Sequence, residues 1–222
     1  MYILLYIVDA AVIKGNLQAC KPGYFALTFD DGPNTYTPEL IDTLNQQGIP
    51  ATFFINGLNF MDLETSIFAQ DAIAKAYRSG HQIASHTYTH PHLTELSDKE
   101  IEIEMLRLEN QTMHIIGKRP AYMRPPFGDI NKHIIDLLNN LGYTIVTWSL
   151  DTKDYETHNL SDEMKSVSVG MEGSSHGYIA LTHDVYKQTV EELAISLINW
   201  ARDKGFKFCT VAECKFLLLD KV

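Results

Sequence analysis

The sequence predicts an α/β fold: a parallel sheet whose strands are joined by helical crossovers. Short apolar runs recur along the chain, and between them lie segments with helical periodicity. No Pro/Ser-rich linker, low-complexity tract or repeat of fixed period interrupts this alternation. The polar residues suited to chemistry mostly sit just after the apolar runs, as they do where the carboxyl ends of parallel strands gather on one face. A barrel and an open doubly wound sheet both fit, and 222 residues suffice for one large α/β domain or two small ones.

The elements can be justified in order. The chain opens "MYILLYIVDAAVIKGNLQAC", continuously apolar over residues 2–8 until Asp9 interrupts. That run is too short to span a bilayer. It reads as a packed arm or outer strand, or as a weak secretory signal with Ala19 near a cleavage point and no basic leader. Residues 1–19 are therefore set apart from a domain over residues 20–222.

The first core strand is "YFALTF" (24–29), which "DDGP" breaks. Thr37 before Pro38 and Glu39 reads as an N-cap followed by proline at the first helical position. Strands follow at "ATFFI" (51–55) and "QIAS" (82–85). Ser97 and Glu100 form a capping box for a helix on which Ile101, Met105 and Leu108 recur at helical spacing, and Gly117 ends it. "AYMR" (121–124) and "YTIVTW" (143–148) flank the helical "NKHIIDLLNNLG". "GYIALT" (177–182) and "FKFCT" (206–210) flank "TVEELAISLINWARDKG".

Composition narrows the partners. Charged residues make up 21% and the formal net charge is -10, which argues against nucleic acid and favours a neutral or cationic partner. Three cysteines occur, Cys20, Cys209 and Cys214, and none forms a C-x-x-C pair, so a structural zinc knuckle is excluded as the simple reading. A bridge between the chain ends and free buried thiols both remain open. "NQT" at Asn110 and "NLS" at Asn159 are glycosylation sequons that matter in a secreted chain.

The chemistry begins at Asp30 and Asp31, two adjacent carboxylates at a half-buried strand end. They repel one another and each loses hydration, so a nearby cation relieves both costs. His86 and His90 are spaced i, i+4, as on one helical turn whose two imidazoles point the same way. Two histidines and one aspartate make a facial site for a divalent metal, with Asp31 beside the cation and Asp30 free to act as a base. His81 and His92 read as ordinary surface or turn residues. Arg124 in "MRPPFG" follows a strand on the same face. Asp151 and Asp154 follow Trp148, and His183 stands beside Asp184; a His–Asp pair orients and tunes an acid.

With five motifs in order, "TFDDGP", "HTYTH", "RPPFG", "DTKDY" and "LTHD", the chain resembles the NodB-homology polysaccharide deacetylases, carbohydrate esterase family four. The flanking "GHQIASHTYTHPHLTEL" and "FKFCTVAEC" are most similar to the fungal chitin deacetylase branch. The resemblance implies a distorted (β/α)7-type barrel, the NodB homology fold, and a catalytic domain over residues 20–222. It implies Asp30 as general base, Arg124 as the group that holds it, and His183, oriented by Asp154, as the acid that protonates the leaving amine. Asp31, His86 and His90 correspond to the ligands of one divalent ion, zinc or alternatively cobalt. The backbone near Phe127 would help bind the oxyanion, and Leu181 would line the acetyl-methyl pocket.

Tyr155 departs from the family, whose fourth motif commonly carries tryptophan there. The branch also implies a disulfide between Cys20 and Cys214, with Cys209 free. The implied function is hydrolysis of N-acetyl groups on a polymer or oligomer of N-acetylglucosamine, by a secreted or cell-wall monomer with no transmembrane span. The alternatives are a carbohydrate-binding protein of this fold that has lost turnover, or a deacetylase of peptidoglycan or xylan.

Overall fold

The structure, a computed structural model, describes residues 16–171 and 177–214. The apolar run at residues 2–8 lies outside the described residues. Among the described residues nine strands form one sheet: β1 (Asn16–Leu17), β2 (Tyr24–Asp30), β3 (Ala51–Ile55), β4 (Gln82–Ser85), β5 (Tyr122–Met123), β6 (Thr144–Val146), β7 (Leu150–Asp151), β8 (Tyr178–His183) and β9 (Lys207–Phe208). The helices are α1 (Thr37–Gln47), α2 (Ile67–Arg78), α3 (Asp98–Ile116), α4 (Lys132–Asn140), α5 (Asp154–Thr157), α6 (Leu160–Gly170) and α7 (Ala194–Asp203). Every ladder is parallel, in the order β1-β6-β5-β4-β3-β2-β8-β7, with β9 against the start of β2.

The sheet curls into the distorted barrel expected, without a continuous ladder from β7 back to β1. The paired backbone bonds of Cys20 with Gly177, 3.2 and 2.9 Å, tie that side together. Two differences from the strand expectations share one cause. The run at 143–148 pairs only over Thr144–Val146, with β5 and β1, and Leu150–Asp151 then pairs with β8 instead. The chain thus changes neighbours at Thr147–Ser149, where Thr147 N–H goes to Leu17 and Ser149 N–H to Ile179. Thr37 does not cap α1. Its hydroxyl accepts the Asn34 N–H at 2.8 Å and donates to Asp184, and the cap position is Tyr36. The capping box of Ser97 and Glu100 is present, and Gly117 ends α3 in the left-handed conformation with φ 67°.

Strand alternation separates two faces. Phe25, Leu27 and Phe29 of β2 join a core with Leu40, Ile41 and Leu44 of α1 and Leu197 and Ile198 of α7. Ala26 of β2, Phe54, Ala84, Val146 and Ile179 fill the barrel interior with Val211 and the three cysteines. The pairing register sets Asp30 beside Phe54 on one side and beside His183 on the other. Both polar residues therefore emerge together at the carboxyl end of the barrel, above an apolar floor.

Candidate functional site

Asp30 is buried and its charge is met by Arg124, which is itself fully buried. Arg124 Nη1 donates to Asp30 Oδ1 at 2.7 Å and to Thr28 Oγ1 at 2.7 Å, and Nη2 donates to the Thr147 carbonyl at 3.2 Å. Its guanidinium lies 4.1 Å over the Phe54 ring. A buried carboxylate with so complete a partner is fixed in place.

Asp31 turns away from Asp30 toward the histidines, with a φ of 73°. Its Oδ1 lies 3.2 Å from His90 Nε2 and 3.5 Å from His86 Nε2. His86 Nδ1 lies 2.7 Å from the Arg124 carbonyl. A carbonyl only accepts, so Nδ1 carries the proton and the Nε2 lone pair faces Asp31. Burial pushes His86 below its ordinary pKa, against the pull of Asp30 and Asp31, and so favours this neutral form. Burial by itself would raise Asp31, but His90, His86 and His183 outweigh it and hold the carboxyl at about 2.

The buried Asp31 Oδ1 has no hydrogen-bond donor. One carboxylate oxygen and two imidazole nitrogens thus converge within 4.8 Å of one another, which fits a divalent cation. The i, i+4 spacing does not arise from a helix. His86 to His90 form a loop after β4 in which Thr87 and His90 have positive φ.

His183 receives two contacts from the fully buried Asp154. Asp154 Oδ2 accepts the His183 backbone N–H at 2.7 Å, and Oδ1 lies 2.8 Å from Nδ1. Burial alone would lower the imidazole, but this bond and the charges of Asp154, Asp30 and Asp31 raise it to about 9. Asp184 is not its partner. Burial pushes Asp184 up to about 7, and its side chain instead bonds Thr37 and packs on Gly32, where any Cβ would collide with the carboxylate.

An open cleft of about 320 Å³ unites these groups, lined by Asp30, Asp31, His86, His90, Leu181 and His183. Phe127, 58% exposed, and Tyr155 also line it. Tyr155 meets His183 edge-on, with ring centroids 5.5 Å apart, and its hydroxyl donates to Asp151 at 3.2 Å and accepts from Lys153 at 3.0 Å. All ten residues singled out from the motifs therefore stand in or directly behind one cleft.

Other features were less legible. Pro125, Gly128, Trp148 and Tyr186 also line the cleft. Trp148, read as the last residue of a strand, lies beyond the strand end at Val146, on the side from which the motif residues emerge. His92, read as a surface or turn residue, is exposed, and it stacks on Phe127 with centroids 3.9 Å apart. His81, read as a surface or turn residue, is buried.

A family profile described as Polysaccharide deacetylase matches residues 18–146. The chain belongs to the polysaccharide deacetylase family. It is 41% identical over 203 residues to a chitin deacetylase of Colletotrichum lindemuthianum, covering 89% of this chain and 82% of that protein. It is 39% identical over 202 residues to a chitin deacetylase of Pestalotiopsis, covering 89% of this chain and 66% of the other. The solved structure of the chitin deacetylase from Colletotrichum lindemuthianum superimposes with a TM-score of 0.85 at 39% identity, covering 90% of this chain and 91% of that one. This family member thus shares sequence and fold with those relatives over most of its length.

Proposed function

We propose that the chain hydrolyses the N-acetyl groups of N-acetylglucosamine units in chitin or a related polysaccharide and releases acetate. The observation that carries this reading is the cleft itself: an Arg-held carboxylate, a cluster of one aspartate and two histidines suited to a metal, and an Asp-held imidazole face one open space. Asp31, His86 and His90 would hold one divalent ion, zinc by the mixture of carboxylate and imidazole donors, with cobalt able to replace it. When bound, that ion supplies Lewis-acid polarisation of the amide carbonyl and lowers the pKa of a coordinated water.

The chain's own groups do the rest. Asp30 takes a proton from the attacking water, and Arg124 holds it in position. The backbone N–H at Phe127, on the rim of the cleft, would donate to the developing oxyanion. His183, held protonated by Asp154, delivers its proton to the departing nitrogen, which leaves as the sugar amine. Leu181 bounds the space for the acetyl methyl, and Tyr155 walls the side next to His183.

An acidic chain suits a neutral polymer that becomes cationic as it reacts. The Cys20–Cys214 disulfide supports an oxidising location, outside the cell or at its wall. Among the described residues no helix is long and apolar enough to cross a membrane. We take residues 20–222 as one catalytic domain acting as a monomer, preceded by an arm or signal-like segment at 1–19.

The test is acetate release from chitooligosaccharides, peptidoglycan fragments and acetylxylan, with zinc and with chelator. Acetate from chitooligosaccharides that the chelator abolishes is expected. Asp30→Asn should lose about a hundred- to ten-thousandfold in turnover while still binding the metal. Zinc-loaded protein that binds chitooligosaccharides but releases nothing, with Tyr155→Trp restoring nothing, would replace this reading with that of a binding protein.

A further inference from the structure

The loop between His86 and His90 adopts a shape that its own residues disfavour. Thr87 has φ 70° and His90 φ 59°, and the first is costly for a β-branched side chain. Such a shape persists only where surrounding groups hold it. Two of these holds are local to the strand ends. Thr87 Oγ1 accepts the His90 N–H at 3.1 Å, and Asn56 Nδ2 donates to the carbonyls of His86 and Thr87.

The third hold comes from α3, outside the cleft. Glu104 Oε2 accepts the Thr89 N–H at 2.7 Å, and Oε1 accepts the Thr89 hydroxyl at 2.8 Å. Both donors of the residue preceding His90 thus end on one carboxylate. One turn on, the Arg107 guanidinium lies 3.7 Å over the ring of Tyr88 and ion-pairs Glu64 at 3.2 Å. The Tyr88 ring also presses on Gly57, where a Cβ would collide with it. The helix behind these contacts is capped at both ends and anchored by Ile101, Met105 and Leu108. It is a firm base for a loop that has no regular structure of its own.

We propose that Glu104 is a positioning residue for the metal site: by binding both donors of Thr89 it keeps His90 where Asp31 and His86 meet it. The proposal rests on the reading of Asp31, His86 and His90 as metal ligands. Without Glu104 the exposed Thr89 donors turn to water at little cost to the fold. The loop then samples shapes in which His90 leaves the other two donors, and each such shape lowers metal affinity by its share of the population. Groups that orient metal ligands typically contribute about 10–100-fold in affinity.

The experiment is zinc titration of the metal-free full chain against a competing chelator. It compares wild type, Glu104→Ala, Glu104→Gln, Thr89→Ala, the Glu104→Ala/Thr89→Ala pair and His86→Ala, with a thermal melt of each metal-free protein. Glu104→Ala should bind zinc about 10–100-fold more weakly with a similar melt. Glu104→Gln, which keeps one acceptor, and Thr89→Ala, which keeps the N–H, should fall between. The pair should be no weaker than Glu104→Ala, the non-additivity of two groups that act through one another.

Zinc affinity of Glu104→Ala within about threefold of wild type overturns the proposal, since that is under 1 kcal/mol. If Glu104→Ala does not fold, Thr89→Ala decides, and unchanged affinity there overturns it equally. If His86→Ala binds zinc as well as wild type, the metal reading itself fails, and the role of Glu104 fails with it. Wild-type-like zinc binding by Glu104→Ala alongside a lost site in His86→Ala sinks only the present inference.

Discussion

Burial makes single charged groups decisive at the residue scale. His183 owes its raised pKa of about 9 mainly to Asp154, working against burial. A general acid is active below its pKa, so with His183 in the proposed role the alkaline limb of the kcat profile should report it. Asp154→Asn removes the charge that holds the proton, so the limb should move toward lower pH; a limb that stays where it is would separate it from this pair. His81 shows the opposite balance. It is buried, its Nδ1 accepts the Ala51 N–H at 3.3 Å, and its Nε2 has no partner. Burial lowers its pKa from 6.5 to about 4. Between those values the unfolded chain takes up a proton that the folded chain refuses, so stability falls as pH drops through that window. The loss should be about 1.4 kcal/mol per pH unit, or about 3 kcal/mol in all. His81→Asn keeps an acceptor near Ala51 but does not titrate. Its denaturant midpoint should therefore change less than that of wild type between pH 7 and 4.5, and parallel slopes would rule the explanation out.

At the scale of elements, the strands and the capped helix were legible because each depends on local pattern. β3 and β4 match their apolar runs to the residue, and α3 begins and ends at its capping box and its glycine. The candidate site was legible for a related reason: parallel strands put whatever follows them on one face, so motifs far apart in sequence could be assigned to one cleft. What escaped depends on neighbours. β1 and β7 are two residues each and exist because β6 and β8 offer them free edges. No periodicity marks a two-residue strand. Thr37 carries the usual sign of an N-cap, but its hydroxyl accepts the Asn34 N–H and donates to the buried Asp184 after the neighbouring β8. His86 and His90 have helical spacing without a helix, because the loop is shaped by Asn56 and α3. His81 follows a turn and so reads as exposed, yet it sits against the Phe53 ring with centroids 5.6 Å apart.

Over the whole molecule, the barrel has two ends with separate tasks. The carboxyl ends of the strands hold the cleft, and the interior below it is closed by Val211, Cys209 and the Cys20–Cys214 disulfide. The bridge joins residues 194 positions apart, before the first core strand and after the last. It therefore restricts nearly all of the chain described here in the unfolded state, and in the chain-entropy account a loop of this size contributes about 5 kcal/mol. Removal of native disulfides typically costs about 2–5 kcal/mol. Cys20→Ser/Cys214→Ser should lower stability by an amount in that range, measured by denaturant unfolding without reductant. The same reductant that destabilises wild type should leave this variant unchanged. Cys209 takes no part in the bridge, and burial pushes its thiol up to about 12, so Cys209→Ala should keep the response to reductant. Because the bridge lies away from the cleft, zinc affinity of the double variant well below its melting temperature should match wild type. A double variant as stable as wild type would show that packing in the barrel interior holds the chain ends without the covalent link. Weakened zinc binding at full folding would show that the two ends of the barrel are coupled.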